Sequence, residues 1–324
     1  MRGLLYYFFR RVGGLVPVFL GVTLVSFVVI HLAPGEPGDA GAAFNPKVSA
    51  QAGEKLKELY GLDRPILAQY GSWLGRFFRL DFGNSFVDGE KVTAKIARAV
   101  PVTLVLNGLS LFLILLAGIP LGILGAVKAG SRLDRTLTFF VLAGFSLPAF
   151  WLALLLMSFL GVGLRILPVS GLTSLFWEEM NFLAKAMDLA RHLLLPVLVS
   201  SVTGLAGIAR FVRSGMLGVL RENYIRTARA KGLSEKAVIY RHALRNALLP
   251  VITILGLSVP GLLGGSVIFE SVFSIPGMGR LFFQSVFARD YPVIMGVLVL
   301  GAFLTLLGNL LADAAYRLAD PRVR

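Results

Sequence analysis

Six stretches of this 324-residue chain contain no Asp, Glu, Lys or Arg: Val12–Ile30, Ala99–Val127, Thr136–Leu164, Leu193–Ala209, Asn246–Phe269 and Tyr291–Ala312. A helix crosses the hydrocarbon of a bilayer in about 20 residues, so the spacing predicts six transmembrane helices. The 17-residue fourth interval is the shortest, and His192 and Arg210 can snorkel at its ends. Composition agrees. The chain is 56% hydrophobic and 15% charged, against roughly a quarter charged in soluble domains. One soluble core cannot bury so much apolar side chain, and lipid is the solvent that accepts it. Val12–Ile30 follows Arg10 and Arg11 but runs into His31-Leu32-Ala33-Pro34-Gly35-Glu36 without a small-residue cleavage pattern. It is therefore expected to be a retained anchor. Pro148 and Pro260 lie inside spans and are expected to kink them.

Six spans place both termini on one side. If that side is the cytoplasm, segments 1–11, 128–135, 210–245 and 317–324 hold 18 Lys/Arg in 63 residues, against 14 in 111 residues on the other side. The twofold density difference follows the positive-inside rule. The net charge of +14 is thus mostly topogenic, and no basic stretch carries the aromatic platforms of single-strand binders. With no cysteine, disulfides, thiolate metal sites and cysteine nucleophiles are excluded. No Gly-Lys pair exists to build a P-loop, and no His-Glu-x-x-His motif occurs. A Gly-x-Ser-x-Gly elbow is also absent. No charged residue lies well inside an interval, which speaks against a proton-coupled secondary transporter. Asn107 and Asn309 are polar groups within spans, suited either to a pathway lining or to hydrogen bonds between helices.

The 34–98 segment reads as an outer subdomain. Residues 51–60 have helical composition, Gly61–Pro65 breaks it, and Ile66–Leu80 is expected to be helical with Ile66, Tyr70, Trp73, Phe77 and Leu80 on one face. That face is either a docking surface or a cap on the bundle. Phe176, Met180, Leu183 and Met187 form a stripe expected to lie at the interface. Pro276-Gly277-Met278-Gly279 reads as a tight turn, ending a helix or bracing the mouth of a pathway.

The segment 213–249 reads as helix, turn, helix. Leu217, Leu220, Tyr224 and Ala228 are expected on one side of the first helix. Gly232 is placed as its left-handed stop. Ser234 is expected to cap the second helix, with Glu235 in its first turn and Ala237, Tyr240, Leu244 and Ala247 along one face. Such a rigid projection with a basic rim fits a cytoplasmic partner that moves as a body; the simpler alternative is a basic loop on anionic lipid.

Arg226-Thr227-Ala228-Arg229-Ala230-Lys231-Gly232 resembles the Glu-Ala-Ala-x-x-x-Gly coupling motif of ABC importer permeases in its dipeptide/oligopeptide form. Ala228 and Gly232 keep the general pattern, and Arg226 and Thr227 replace its first letters. The general motif's Ile-x-Leu-Pro, expected nine residues after the glycine, reads His242-Ala243-Leu244-Arg245, with proline only at Pro250. Further stretches resemble the same family in order along the chain. They are His31–Pro37, Gly61–Pro65, Leu80–Ser85, Ser146–Trp151, Leu167–Gly171, Glu270–Gly279 and Arg289–Pro292.

The resemblance implies an all-α membrane protein of the ABC importer permease type, the first of two related permease subunits. Its parts would be an anchor helix (1–33), an outer subdomain (34–98), a permease core (99–313) containing coupling loop 213–249, and a cytoplasmic tail (314–324). The residues implied to meet the ATPase are Tyr224, Arg226, Thr227, Ala228, Arg229, Ala230, Lys231, Gly232 and Leu233. Implied partners are a second permease subunit, two ATP-binding cassette subunits, an extracytoplasmic solute-binding protein and membrane lipid, with no nucleic acid. The chain itself would hold no cofactor, ATP and Mg2+ being bound by the ATPase. The implied location is the prokaryotic inner membrane, with both termini cytoplasmic. Peptides are the expected substrate, with glutathione and nickel as alternatives within the family and an ATP-independent transporter or channel outside it.

Overall fold

The computed structural model describes residues 2–33, 61 and 63–319. Its regular elements are helical: α1 (Arg2–Leu32), α2 (Ile66–Phe77), α3 (Val92–Val127), α4 (Arg132–Ser146), α5 (Ala149–Leu156, continued by π-helical Met157–Gly163) and α6 (Phe182–Val219). Then come α7 (Asn223–Ala230), α8 (Glu235–Ala237), a π-helical stretch Val238–Ala243, α9 (Leu244–Ala247), α10 (Leu249–Gly264), α11 (Val267–Val272), α12 (Met278–Ala288) and α13 (Tyr291–Ala319). Among the described residues, five helical stretches are long and apolar enough to cross a membrane, and the bent pair α4–α5 makes a sixth if taken as one span. The expected all-α membrane architecture is present.

The third span breaks rather than kinks. α4 and α5 meet at 95°, because Pro148 bars its predecessor from helical backbone. Leu147 is accordingly extended, with φ −78° and ψ 132°. The fourth span is far longer than its uncharged interval. Asn181 caps α6 by accepting from the Ala184 N–H at 2.9 Å, and 38 residues follow, about 57 Å of helix at 1.5 Å per residue. Its charged first turns are held by neighbours. Asp188 accepts from the backbone N–H and hydroxyl of Ser174 at 2.9 and 2.5 Å, and Arg191 donates to the Ile166 carbonyl at 2.9 Å. Leu183 and Met187, expected in a separate interfacial stripe, are exposed residues of this same helix.

The chain divides into two compact units. The first draws on 1–103, 259–271 and 276–314. Within it α2 caps α1: Trp73 is buried, Phe77 lies 5.5 Å from Phe19 between ring centroids, and the Tyr70 and Thr23 hydroxyls bond at 3.0 Å. Ring packing and hydrogen bonding hold this contact together. The face expected from Ile66 to Leu80 holds through Phe77, which ends the helix. Leu80 has turned off into left-handed backbone (φ 58°) and is 75% exposed. The helix expected at 51–60 lies outside the described residues.

The second unit draws on 104–258, 272–275 and the described residues from 315 onward. Its core joins Ile123 of α3, Val212 and Met216 of α6, Ile225 of α7 and Val238 of the π-helical stretch. Close helix approach makes this possible. A Cβ on Gly122 would stand 2.6 Å from Val212 Cβ and 2.7 Å from the Ala209 carbonyl oxygen.

Candidate functional site

The 213–249 segment forms the expected helix, turn, helix, with its phases shifted. α6 ends at Val219, and a turn through Leu220–Glu222 precedes α7. Leu217 and Leu220 therefore do not share a helix face with Tyr224. The buried positions of α7 are Ile225 and Ala228, while Tyr224 is 42% exposed. After the turn the chain winds as a π-helix, whose wider repeat stacks residues five apart. Val238 and Ala243 form its buried pair, and Tyr240 is exposed.

The turn closes at both ends. The Gly232 N–H donates to the Arg229 carbonyl at 2.9 Å and the Leu233 N–H to the Ala228 carbonyl at 3.3 Å, with Gly232 at φ +78°. This is a Schellman motif, and it requires the left-handed residue that glycine supplies without strain. Ser234 accepts from the Ala237 N–H, as the capping argument anticipates. Arg229 spans the turn to Glu235, Nε to Oε1 at 2.7 Å. This exposed pair adds about 0–1 kcal/mol. Asn246 donates to the Tyr224 hydroxyl at 2.7 Å. Tyr224, Arg226, Thr227, Arg229, Ala230, Lys231, Gly232 and Leu233 are all exposed on this projection; Ala228, by contrast, is buried beneath it.

Three carboxylates organise the chain in ways the sequence pattern does not single out. Asp134, buried in the first turn of α4, takes a bidentate pair from Arg213 of α6, Nε to Oδ1 at 2.9 Å and Nη2 to Oδ2 at 2.8 Å. It also accepts from the Gly130 N–H at 2.9 Å. The pair fastens the 128–131 turn to the helix that leads into α7.

Glu270, fully buried in α11, accepts from the Thr103 hydroxyl at 2.9 Å, the Ser266 N–H at 3.3 Å and the Arg280 N–H at 3.0 Å. Thr103 in turn accepts from the Met278 N–H at 2.8 Å. A Cβ on Gly277 would lie 2.5 Å from the Glu270 Oε2, so backbone closes directly over the carboxyl group. Here Pro276-Gly277 leads into α12, and Met278 and Gly279 are its first residues rather than part of a turn.

Asp290, also buried, accepts from the Ser85 hydroxyl and from the Phe86 N–H at 3.0 Å. Lys95 donates to the same Ser85 hydroxyl and pairs with Asp88 at 2.6 Å, which holds the Asp88 carboxyl below its usual range. Leu80–Ser85 and Arg289–Pro292, quoted above as short resembling stretches, are thus joined. Of Asn107 and Asn309, the latter is exposed in this chain.

The family model described as "Binding-protein-dependent transport system inner membrane component" matches residues 118–324, and its N-terminal companion matches 4–107. The chain is 43% identical over 318 residues to the "Oligopeptide transport system permease protein AppB" of Bacillus subtilis (strain 168), covering 98% of each chain. It is 39% identical over 342 residues to the "Dipeptide transport system permease protein DppB" of Escherichia coli (strain K12), covering 99% of each. A solved inward-facing structure of the MetNI methionine ABC transporter superposes with a TM-score of 0.55 at 22% identity, over 70% of this chain and 97% of that one, a likeness of fold. The apolar spans, the Gly232-stopped helix pair and these matches have one explanation: the chain belongs to the binding-protein-dependent inner-membrane transport components, as a multi-pass permease of the dipeptide/oligopeptide family.

Proposed function

We propose that the chain is the first of two related permease subunits of an ATP-driven peptide importer, and that loop 213–249 couples it to the ATPases. The observation that carries this reading is the closed turn at Gly232. It stiffens a projection that shows Tyr224, Arg226, Thr227, Arg229, Ala230, Lys231 and Leu233 outward while Ile225 and Ala228 pack into the same core as α6. Force applied to such a projection travels into a spanning helix through continuous packing.

Two ATP-binding cassette subunits would apply that force, binding ATP and Mg2+ themselves. A second permease bundle would complete the pathway, and an extracytoplasmic solute-binding protein would deliver the solute. The permease needs no catalytic group for this: nucleotide-driven closure of the ATPases reorients the helices, and hydrolysis resets them. The density of Lys/Arg supports cytoplasmic termini. The names carried by the relatives support peptides as the substrate class.

The test is co-purification of the tagged chain from its native membrane, wild type beside Gly232→Arg. Recovery of a P-loop ATPase with wild type but not with the variant is expected. Recovery with neither, together with transport by the purified chain alone, would replace this reading with a channel or secondary transporter.

A further inference from the structure

The first unit contains a cavity of about 260 Å³ with Arg64, Arg76, His31, Gln69, Trp73 and Tyr291 in its wall. Among the described residues this wall contains no carboxylate, and no ion pair among them engages Arg64 or Arg76. Two guanidinium groups are therefore offered to a ligand, and guanidinium pairs recognise oxyanions by charge and forked hydrogen bonds.

The depth of the cavity says which oxyanion. His31 is next to the last residue of the first span, Gly13–Leu32, and Tyr291 is the first residue of the last one, Tyr291–Leu310. Their rings stand 4.9 Å apart. The cavity thus lies at the level where two spans leave the hydrocarbon, which is where the phosphates of a bilayer lie and where Trp and Tyr collect. Beside it α2 and the turn after it expose Leu67, Phe78 and Leu80, each more than 70% accessible. That is an apolar surface next to a cationic pocket, as acyl chains and a headgroup together require.

We propose that this cavity binds the phosphate of an anionic phospholipid, with Arg64 and Arg76 on its oxygens and the Trp73 and Tyr291 rings against the glycerol. The membrane-spanning character of the chain is sufficient for this inference; it does not depend on the ATPase or on the transported solute.

The experiment is native mass spectrometry of the full-length chain reconstituted in phosphatidylglycerol or in phosphatidylcholine vesicles and released in mild detergent. Wild type is expected to retain phosphatidylglycerol, and Arg64→Gln/Arg76→Gln to retain it roughly tenfold less or worse, two charge-assisted bonds being lost. Arg79→Gln, exposed and outside the cavity wall, should behave as wild type and so separates site loss from general loss of charge. Equal retention of both lipids by wild type, or an unchanged double variant, would overturn the proposal. Displacement of the bound lipid by millimolar inorganic phosphate would overturn its lipid part and leave a site for free phosphate.

Discussion

Glu270→Gln keeps the shape of the side chain and replaces one oxygen with an NH2 group. If that group takes the place of Oε2, it faces the Arg280 N–H at 3.0 Å, donor against donor. If it takes the place of Oε1, it faces the Ser266 N–H at 3.3 Å and the hydroxyl of Thr103. That hydroxyl oxygen already accepts from the Met278 N–H. Either orientation sets a donor against a part-buried backbone N–H that in the native chain has a carboxylate oxygen before it, at a cost of about 1–3 kcal/mol. The site cannot relax by moving away, since the Gly265 and Gly277 backbones touch the carboxyl group from two sides. At about 2 kcal/mol, local opening should become about 30-fold more frequent. Hydrogen–deuterium exchange of the reconstituted chain over residues 266–281 measures this directly. Thr103→Val, which orphans the Met278 N–H, should quicken exchange in the same peptides, and Thr103→Ser should leave it near wild type. Exchange unchanged within about twofold in Glu270→Gln would refute the argument that this carboxyl group holds the segment between α10 and α12 in place.

Other perturbations test other contacts. Asp134→Ala strands the Arg213 guanidinium, which water reaches in part, so the loss should be about 2–3 kcal/mol, below the 3–5 of a fully buried pair; detergent thermal denaturation should show it, with Arg213→Lys giving little relief because lysine lacks the fork. Gly122→Ala meets Val212 and the Ala209 carbonyl and should cost about 1–3 kcal/mol in the same assay, whereas Gly108→Ala meets nothing within 4 Å and should be neutral. Gly232→Ala also meets nothing, so only its positive φ opposes the substitution; about 1 kcal/mol of strain should weaken ATPase co-purification less than Gly232→Arg does. The depressed Asp88 carboxyl gives stability that is complete above the ordinary aspartate value of 3.8 and is lost as pH falls below it. A fluorophore at exposed Val87 should report loop opening only in that acidic window, and Asp88→Asn should abolish the pH dependence.

Spans and stops were legible along the chain because their causes are local. An interval without charge, long enough to cross lipid, needs no distant partner to become a helix, and Pro148 breaks its span through the backbone of its own neighbour. Gly232 ends α7 for an equally local reason, the cost of left-handed backbone to any residue with a Cβ. Helix faces were less legible. Periodicity groups Tyr224 with Leu217 and Leu220, and Tyr240 with Ala237 and Leu244, on the assumption of an unbroken 3.6-residue repeat, and the turn at 220–222 and the π-helical winding after Ala237 reset the phase. Uncharged intervals also understated α6, whose charged first turns are stabilised by Ser174 and the Ile166 carbonyl, groups that come together only when the chain folds. The partners of the buried carboxylates were beyond sequence reasoning: Asp134 finds Arg213 79 residues away, Glu270 finds Thr103 at 167 and Asp290 finds Ser85 at 205. Residue order is enough to place this protein in a membrane as a helical bundle with a basic projection, since transfer free energy and backbone sterics act residue by residue. Tertiary structure alone decided which charged groups are buried, because a carboxyl group can leave water only where donors from distant segments already stand.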